Sequence, residues 1–183
     1  QGKSMFLLNE AVDLLRQGYS VLYIDSELNT RMFTARLIAH LTKIEFSRIR
    51  SGKYTDEEAE RIKAALKWIK EQKFTHKYMP IFDPNGVYSV VKKSMHAQDT
   101  QVLIVDYFKA SDSGSGDGAA YEVYSNLGKF VDMVKNVLCG DLGLIGLGAA
   151  QTTATGKLAD SAKIARNAST IMIIDNKTPE EIQ

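Results

Sequence analysis

Apolar residues along this chain recur with two alternating periods. In residues 6–16 they fall at positions 7, 8, 11, 12, 14 and 15, the spacing of one helix face, and the run stops before Gly18, a residue suited to closing a helix. Residues 19–24 then read as a buried strand, and Asn29 or Thr30 can cap a second helix that reaches residue 41. Thr55-Asp56-Glu57-Glu58 has the form of a capping box, predicting a helix to about residue 72 that buries Ala59, Ile62, Leu66 and Ile69. Further along, the pattern predicts a short strand at 78–82 and a helix at 87–97 with Val87, Val90, Val91 and Met95 on one side. A strongly apolar strand at 102–107 and a long helix at 121–138 follow, then strands at 142–147 and 170–174. Between the 102–107 strand and the long helix, residues 111–118 are only Gly, Ser and Asp, the composition of a loop.

Strands apolar on both faces, alternating with amphipathic helices, indicate an α/β fold: a mostly parallel central sheet covered by helices on both faces. Such sheets bind ligands beyond the carboxyl ends of their strands, so polar residues that follow strands carry the most weight. Gly2-Lys3-Ser4 leads directly into the first helix and matches the last part of the pattern G-x-x-x-x-G-K-[ST]. In that pattern the loop amides and the helix N-terminus cradle phosphates, the lysine reaches the β and γ phosphates, and the hydroxyl binds Mg²⁺. Asp106 ends the stretch 101–106, where an aspartate can hold a magnesium-bound water beside a nucleotide, or else cap the next turn. Together with Gly2-Lys3-Ser4 it forms the Walker A and Walker B pair expected of a P-loop ATPase.

Asp25 and Glu27 lie just past the strand that follows the first helix, where a carboxylate can accept a proton from an attacking water; Asp25 can equally serve the turn itself. Gln151 follows a strand through Gly146, Gly148, Ala149 and Ala150, and its amide both donates and accepts, as a sensor of a terminal phosphate must. His40, His76 and His96 lack metal-ligand spacing; His40 falls in a helix and His76 in a Lys-rich turn, and all three read as structural or solvated. Lys63, Lys67 and Lys70 make a solvated helix side, while Trp68 and the methionines sit at core spacing.

Composition narrows the class without choosing a function. The 183 residues suit one domain with a real core, and 44% hydrophobic and 25% charged residues are ordinary for a globular protein. No apolar run is long enough to span a bilayer, and the opening residues lack a signal-peptide layout, so a cytoplasmic protein is expected. The single cysteine, Cys139, rules out a disulfide within the chain and a cysteine-based zinc site, and reads as a small buried residue. A net charge of +1 is no global nucleic-acid signature, so any DNA contact would come from local loops or a surface shared between subunits.

Taken in order, Gly2-Lys3-Ser4, Asp25-Ser26-Glu27-Leu28, Val105-Asp106-Tyr107 and Gln151 resemble the C-terminal motor domain of DnaB-family replicative DNA helicases, particularly phage-like members. The most specific match is Arg48-Ile49-Arg50-Ser51-Gly52-Lys53-Tyr54-Thr55-Asp56-Glu57, similar to the family's R-L-R-T-G-K-L-T-D-E. Asp25-Ser26-Glu27-Leu28-Asn29 looks like the family's S-L-E-M segment, residues 104–108 like I-V-I-D-Y-L-Q, Glu122-Val123 and its helix like E-V-S-E-I-S-R, and residues 160–168 like the segment before the last strand.

The resemblance covers essentially the whole chain. It implies a RecA-like ATPase core over residues 1–183 that begins inside the P-loop and stops before the domain ends. It also implies a hexameric ring hydrolysing ATP at subunit interfaces, with single-stranded DNA in its channel and a primase and a helicase loader as partners. Carried over, Gly2 and Lys3 would hold phosphates, Ser4 and Asp106 Mg²⁺, Glu27 would be the base and Gln151 the coupling residue. Loops 110–120 and 152–159, with Lys109 and Lys157, would face DNA, and the arginine finger would lie beyond Gln183. Met5 and Phe108-Lys109 depart from the family pattern, and loop 110–120 is acidic. The competing expectations are a RecA- or KaiC-like ATPase and a nucleotide-gated binding module of the helicase-loader type; a retained Glu27 weighs against the latter.

Overall fold

A computed structural model describes residues 2–108, 119–151 and 162–174. Its centre is a four-stranded parallel sheet of β1 (Val21–Asp25), β2 (Phe74–Tyr78), β3 (Val102–Phe108) and β4 (Ile145–Ala150), in the order β2-β1-β3-β4. The two inner strands are apolar on both faces because both faces are covered. Val21, Tyr23, Val102 and Ile104 point into one core with Leu7, Leu8, Ala11, Val12 and Leu15 of α1 (Lys3–Arg16) and Phe33 and Leu37 of α2 (Thr30–Thr42). Their alternates Leu22, Ile24, Leu103 and Val105 point into a second core with Val87 and Val91 of α5 (Pro84–Gln98) and with Phe130 of α6 (Ala119–Asp132). This period of two is what a strand buried on both sides requires.

A smaller cluster of Ile38, Ile44 and Ile62 joins α2 to α3 (Phe46–Ser51) and α4 (Asp56–Glu71). Thr55 accepts from the Glu58 amide at 3.3 Å and the Glu58 carboxylate accepts from the Thr55 amide at 2.9 Å, so the expected capping box is present. Arg48 adds to it, donating to Glu58 at 2.6 Å and to the Lys53 carbonyl at 3.2 Å, while Gly52 turns the chain at φ +72°. The R-x-R-x-G-K-x-T-D-E stretch is thus the connection that locks α3 onto the start of α4.

Several expectations need correction. The strand anticipated at 78–82 is β2, Phe74–Tyr78; Pro80 has no amide to donate, and the ladder ends with the Met79 amide on the Asp25 carbonyl at 2.8 Å. His76 therefore sits in a strand, its side chain 4% exposed, and not in a turn. The strand placed at 142–147 is β4, Ile145–Ala150, running through small residues: a Cβ at Gly148 would lie 2.3 Å from the Phe108 ring, and one at Gly146 2.7 Å from the Cys139 sulfur. Cys139 itself is only partly buried, and burial pushes its thiol pKa up, which suits an inert packing residue.

The long helix starts at Ala119 and continues beyond Asp132 as a π-helix, Met133–Asp141, with Val134 and Leu138 facing the core. Residues 170–174 form no strand; among the described residues nothing pairs with them, and Ile171 to Ile174 are at least 50% exposed. An apolar run becomes a strand only where an edge receives it. On α4 the buried residues are Ile62 and Ala65, and Leu66 turns outward. α3 was not anticipated, and α7 (Ala162–Asn167) bonds back to Asp132 through Asn167 at 3.0 Å. Among the described residues no helix is long and apolar enough to cross a membrane.

Candidate functional site

The strand order creates the site. From β1 the chain goes outward to β2, then crosses back over to β3, and the carboxyl ends of β1 and β3 flank the crevice where these opposite excursions part. Asp25 and Asp106 are register partners at this edge. Just there β3 carries one extra residue relative to β4: Val105 pairs with Gly148 and Phe108 with Ala150, so Asp106 and Tyr107 leave the β3–β4 ladder. The Asp106–Tyr107 peptide bond is cis.

α1 opens against this edge. Gly2, its N-cap, holds φ +106°, a left-handed conformation that costs glycine little. Ser4, one residue into the helix, donates its hydroxyl to Asp106 Oδ1 at 3.1 Å, and the Tyr23 hydroxyl donates to Asp106 Oδ2 at 2.7 Å. Asp106 is 3% exposed. Burial raises its pKa above the ordinary carboxylate value; the Tyr23 and Ser4 hydrogen bonds oppose this, and the nearby Asp25 and Glu27 add to it. Burial, followed by the charge of Asp106, pushes the Tyr23 hydroxyl upward, so it serves as a fixed donor.

Asp25 does other work. Its Oδ1 accepts the amides of Glu27 and Leu28, both at 2.7 Å, closing the turn that follows β1. Asn29 then caps α2 by accepting the Met32 amide at 3.0 Å. The turn delivers Glu27 to an open cleft of about 190 Å³ lined by Gly2, Lys3, Ser4, Met5, Glu27, Arg36, Tyr107 and Gln151. Asp106 lines a smaller adjoining void that shares Ser4, Met5 and Arg36 with the cleft. Lys3 Nζ lies 5.3 Å from the centre of the Tyr107 ring, and Gln151 donates to the Tyr107 hydroxyl at 3.3 Å.

Gly2, Lys3, Ser4, Glu27, Asp106 and Gln151, scattered over the sequence, thus meet at one sheet edge. Lys109, Lys157 and most of loops 110–120 and 152–159 lie outside the described residues. Three participants escaped the sequence reading. Tyr23 fixes Asp106, and its signal is a hydroxyl-bearing aromatic on the inward-facing set of a buried strand. Arg36 brings a second cation to the cleft; it follows Phe33 at helical spacing, a basic residue beside the apolar face of α2. Tyr107 joins Lys3 to Gln151, and only its place next to Asp106 marks it.

With this geometry in hand, the likenesses to known proteins take on meaning. Residues 1–181 match the family described as DnaB-like helicase C terminal domain. No curated protein matches the chain. Among solved structures, that of a DnaB-like replicative helicase and its interactions with primase is similar at a TM-score of 0.74 and 13% identity, over 91% of this chain and 42% of that one. A second solved structure, described as an ATPase domain, is similar at a TM-score of 0.72 and 14% identity, over 91% of this chain and 63% of its own. The chain spans less than two thirds of either protein, and at these identities the likeness is one of fold: the RecA-like arrangement of a parallel sheet between helices.

Proposed function

The chain belongs to the family of DnaB-like helicase C-terminal domains, and on that footing we propose that it is an ATP-driven motor coupling hydrolysis of Mg-ATP to movement along single-stranded DNA. The observation that carries this reading is the convergence of a helix N-terminus, a lysine, a hydroxyl bonded to a buried carboxylate, and a second carboxylate on one cleft. The N-terminus of α1 with Gly2 offers its first-turn amides to phosphate oxygens, and Lys3 of α1 and Arg36 of α2 supply positive charge.

The Ser4–Asp106 pair fits a magnesium ion. A carboxylate whose charged form is disfavoured by burial gains from a cation beside it, and a hydroxyl oxygen stands 3.1 Å away. Magnesium takes few protein ligands and completes its shell with water and phosphate oxygens. When bound, Mg²⁺ would neutralise charge on the transferring phosphate. Glu27 accepts the proton of the attacking water, held in place by the turn that Asp25 closes. Gln151, tied to Tyr107 beside Lys3, stands between the phosphate end of the cleft and the loop that begins at residue 152, and passes on the presence of the terminal phosphate. Lys109 and Lys157 contact the DNA backbone, the chain works in a ring of six, and a primase and a loader are its partners.

Glu27 in the cleft favours turnover over a module that only binds nucleotide. The test is steady-state ATP hydrolysis by the full-length protein with and without single-stranded DNA, together with its mass in solution. Stimulation of a hexamer by DNA is the expected result; turnover indifferent to DNA would contradict the motor and favour a RecA- or KaiC-like ATPase or a loader.

A further inference from the structure

Two buried polar atoms near the cleft stand close together without hydrogen bonds. Asp25 Oδ2 and His76 Nε2 are both without a hydrogen-bond partner among the described residues, and they stand 3.7 Å apart, just beyond hydrogen-bonding distance. Both side chains are almost fully enclosed, at 1% and 4% exposure. Leaving such groups uncompensated is costly, and each is the other's nearest remedy. The histidine ring is held from its other side. It stacks on Phe33 with centroids 4.0 Å apart and planes 17° from parallel, and Nδ1 lies 3.2 Å from the hydroxyl of Thr30, the first residue of α2. With that hydroxyl donating to Nδ1, Nε2 carries the ring proton and directs it at Asp25. The other oxygen of the same carboxylate accepts the Glu27 amide.

We propose that His76 is a positioning residue for Glu27, acting through Asp25. The imidazole on β2 sets the orientation of the Asp25 carboxylate, and that carboxylate sets where the turn places the Glu27 side chain in the cleft. A chain of two contacts thus links an outer strand to the water-activating group. The proposal rests on the reading of Glu27 as the base. A histidine buried only for packing would explain the stack on Phe33 but assigns no role to the proton facing Asp25, and the two accounts diverge under substitution.

The experiment measures kcat and KM for MgATP in the full-length protein with His76→Phe and His76→Gln, and repeats His76→Phe in a Glu27→Gln background by single-turnover hydrolysis with enzyme in excess. Phenylalanine keeps the stack and removes both ring nitrogens; glutamine keeps a donor for Asp25 and gives up the stack. The expected result is a fall in kcat of roughly 10–100-fold for His76→Phe with KM changed less than about twofold, since misplacing a catalytic group by about an ångström costs on that order. His76→Gln should return kcat to within about threefold of the parent, and His76→Phe should cost nothing further once Glu27 is gone, the non-additivity of groups acting as one unit. Parent-like turnover in His76→Phe, or an equal further loss in the Glu27→Gln background, would overturn the proposal while leaving Glu27 as the base. Full turnover in Glu27→Gln alone would instead remove the reading on which the proposal rests. If His76→Phe does not fold, the near-isosteric Asp25→Asn replaces it, with the same fall in kcat and the same non-additivity expected and their absence contradicting the proposal.

Discussion

At the connection between α3 and α4, Glu58 accepts from the Thr55 amide and from Arg48, which in turn reaches the Lys53 carbonyl. At the carboxyl ends of β1 and β3, Asp106 lies buried with its pKa raised, and Asp25 keeps one oxygen without a hydrogen bond. Both constellations use acids, hydroxyls and neighbouring backbone amides, and both fall in stretches that resemble the family. In the first the groups complete one another at a partly exposed surface, which is what a brace needs. In the second, charge is withdrawn from water and incompletely compensated, which stability alone would not favour and a ligand site does. A recognisable motif is therefore not by itself a functional one; the state of its polar groups separates the two kinds.

The sharpest separation comes from Glu27→Gln, expected to lower ATP turnover by roughly 100-fold or more, on the scale of general-base catalysis. The full-length protein should still melt normally, and steady-state hydrolysis beside a thermal scan checks both. Lys3→Ala should weaken nucleotide binding by roughly 10–100-fold, the worth of charge-assisted contacts to phosphate, as read by titration with a fluorescent ATP analogue. Gly148→Ala drives a methyl group into the Phe108 ring, which packs against Phe130 and would have to shift. It should cost about 1–3 kcal/mol in urea unfolding and act on stability before chemistry. Thr55→Ala in the brace should cost about 1 kcal/mol, the usual value of a lost N-cap, and leave the KM for ATP where it was. An altered KM in Thr55→Ala would blur the distinction between brace and cleft.

The inner strands and the helices against them were legible because burial on both faces writes itself as continuous apolar runs, and because Thr55 and Asn29 cap locally. Strands whose place depends on partners were not. β2 carries Thr75, His76 and Lys77 and owes its position to β1; β4 contains glycines that admit Phe108 and Cys139; residues 171–174 are apolar yet unpaired among the described residues. The candidate site was legible where its chemistry sits in short stretches, as in Gly2-Lys3-Ser4, Glu27 and Asp106. Tyr23, Arg36, Tyr107 and His76 reach it only through side-chain packing across elements, and no local pattern announces that. The placing of His76 in a turn failed for the same reason.

The central claim is that the crevice between β1 and β3 holds a magnesium–nucleotide pair on Ser4 and Asp106. Its most direct test is the Mg²⁺ dependence of ATP binding for the full-length protein and for Asp106→Asn. The account predicts tighter binding of ATP to the parent as Mg²⁺ is added, and a Mg²⁺ requirement shifted at least about tenfold upward in the variant, as for loss of a group that orders a metal site. Identical Mg²⁺ curves for the two proteins would contradict it.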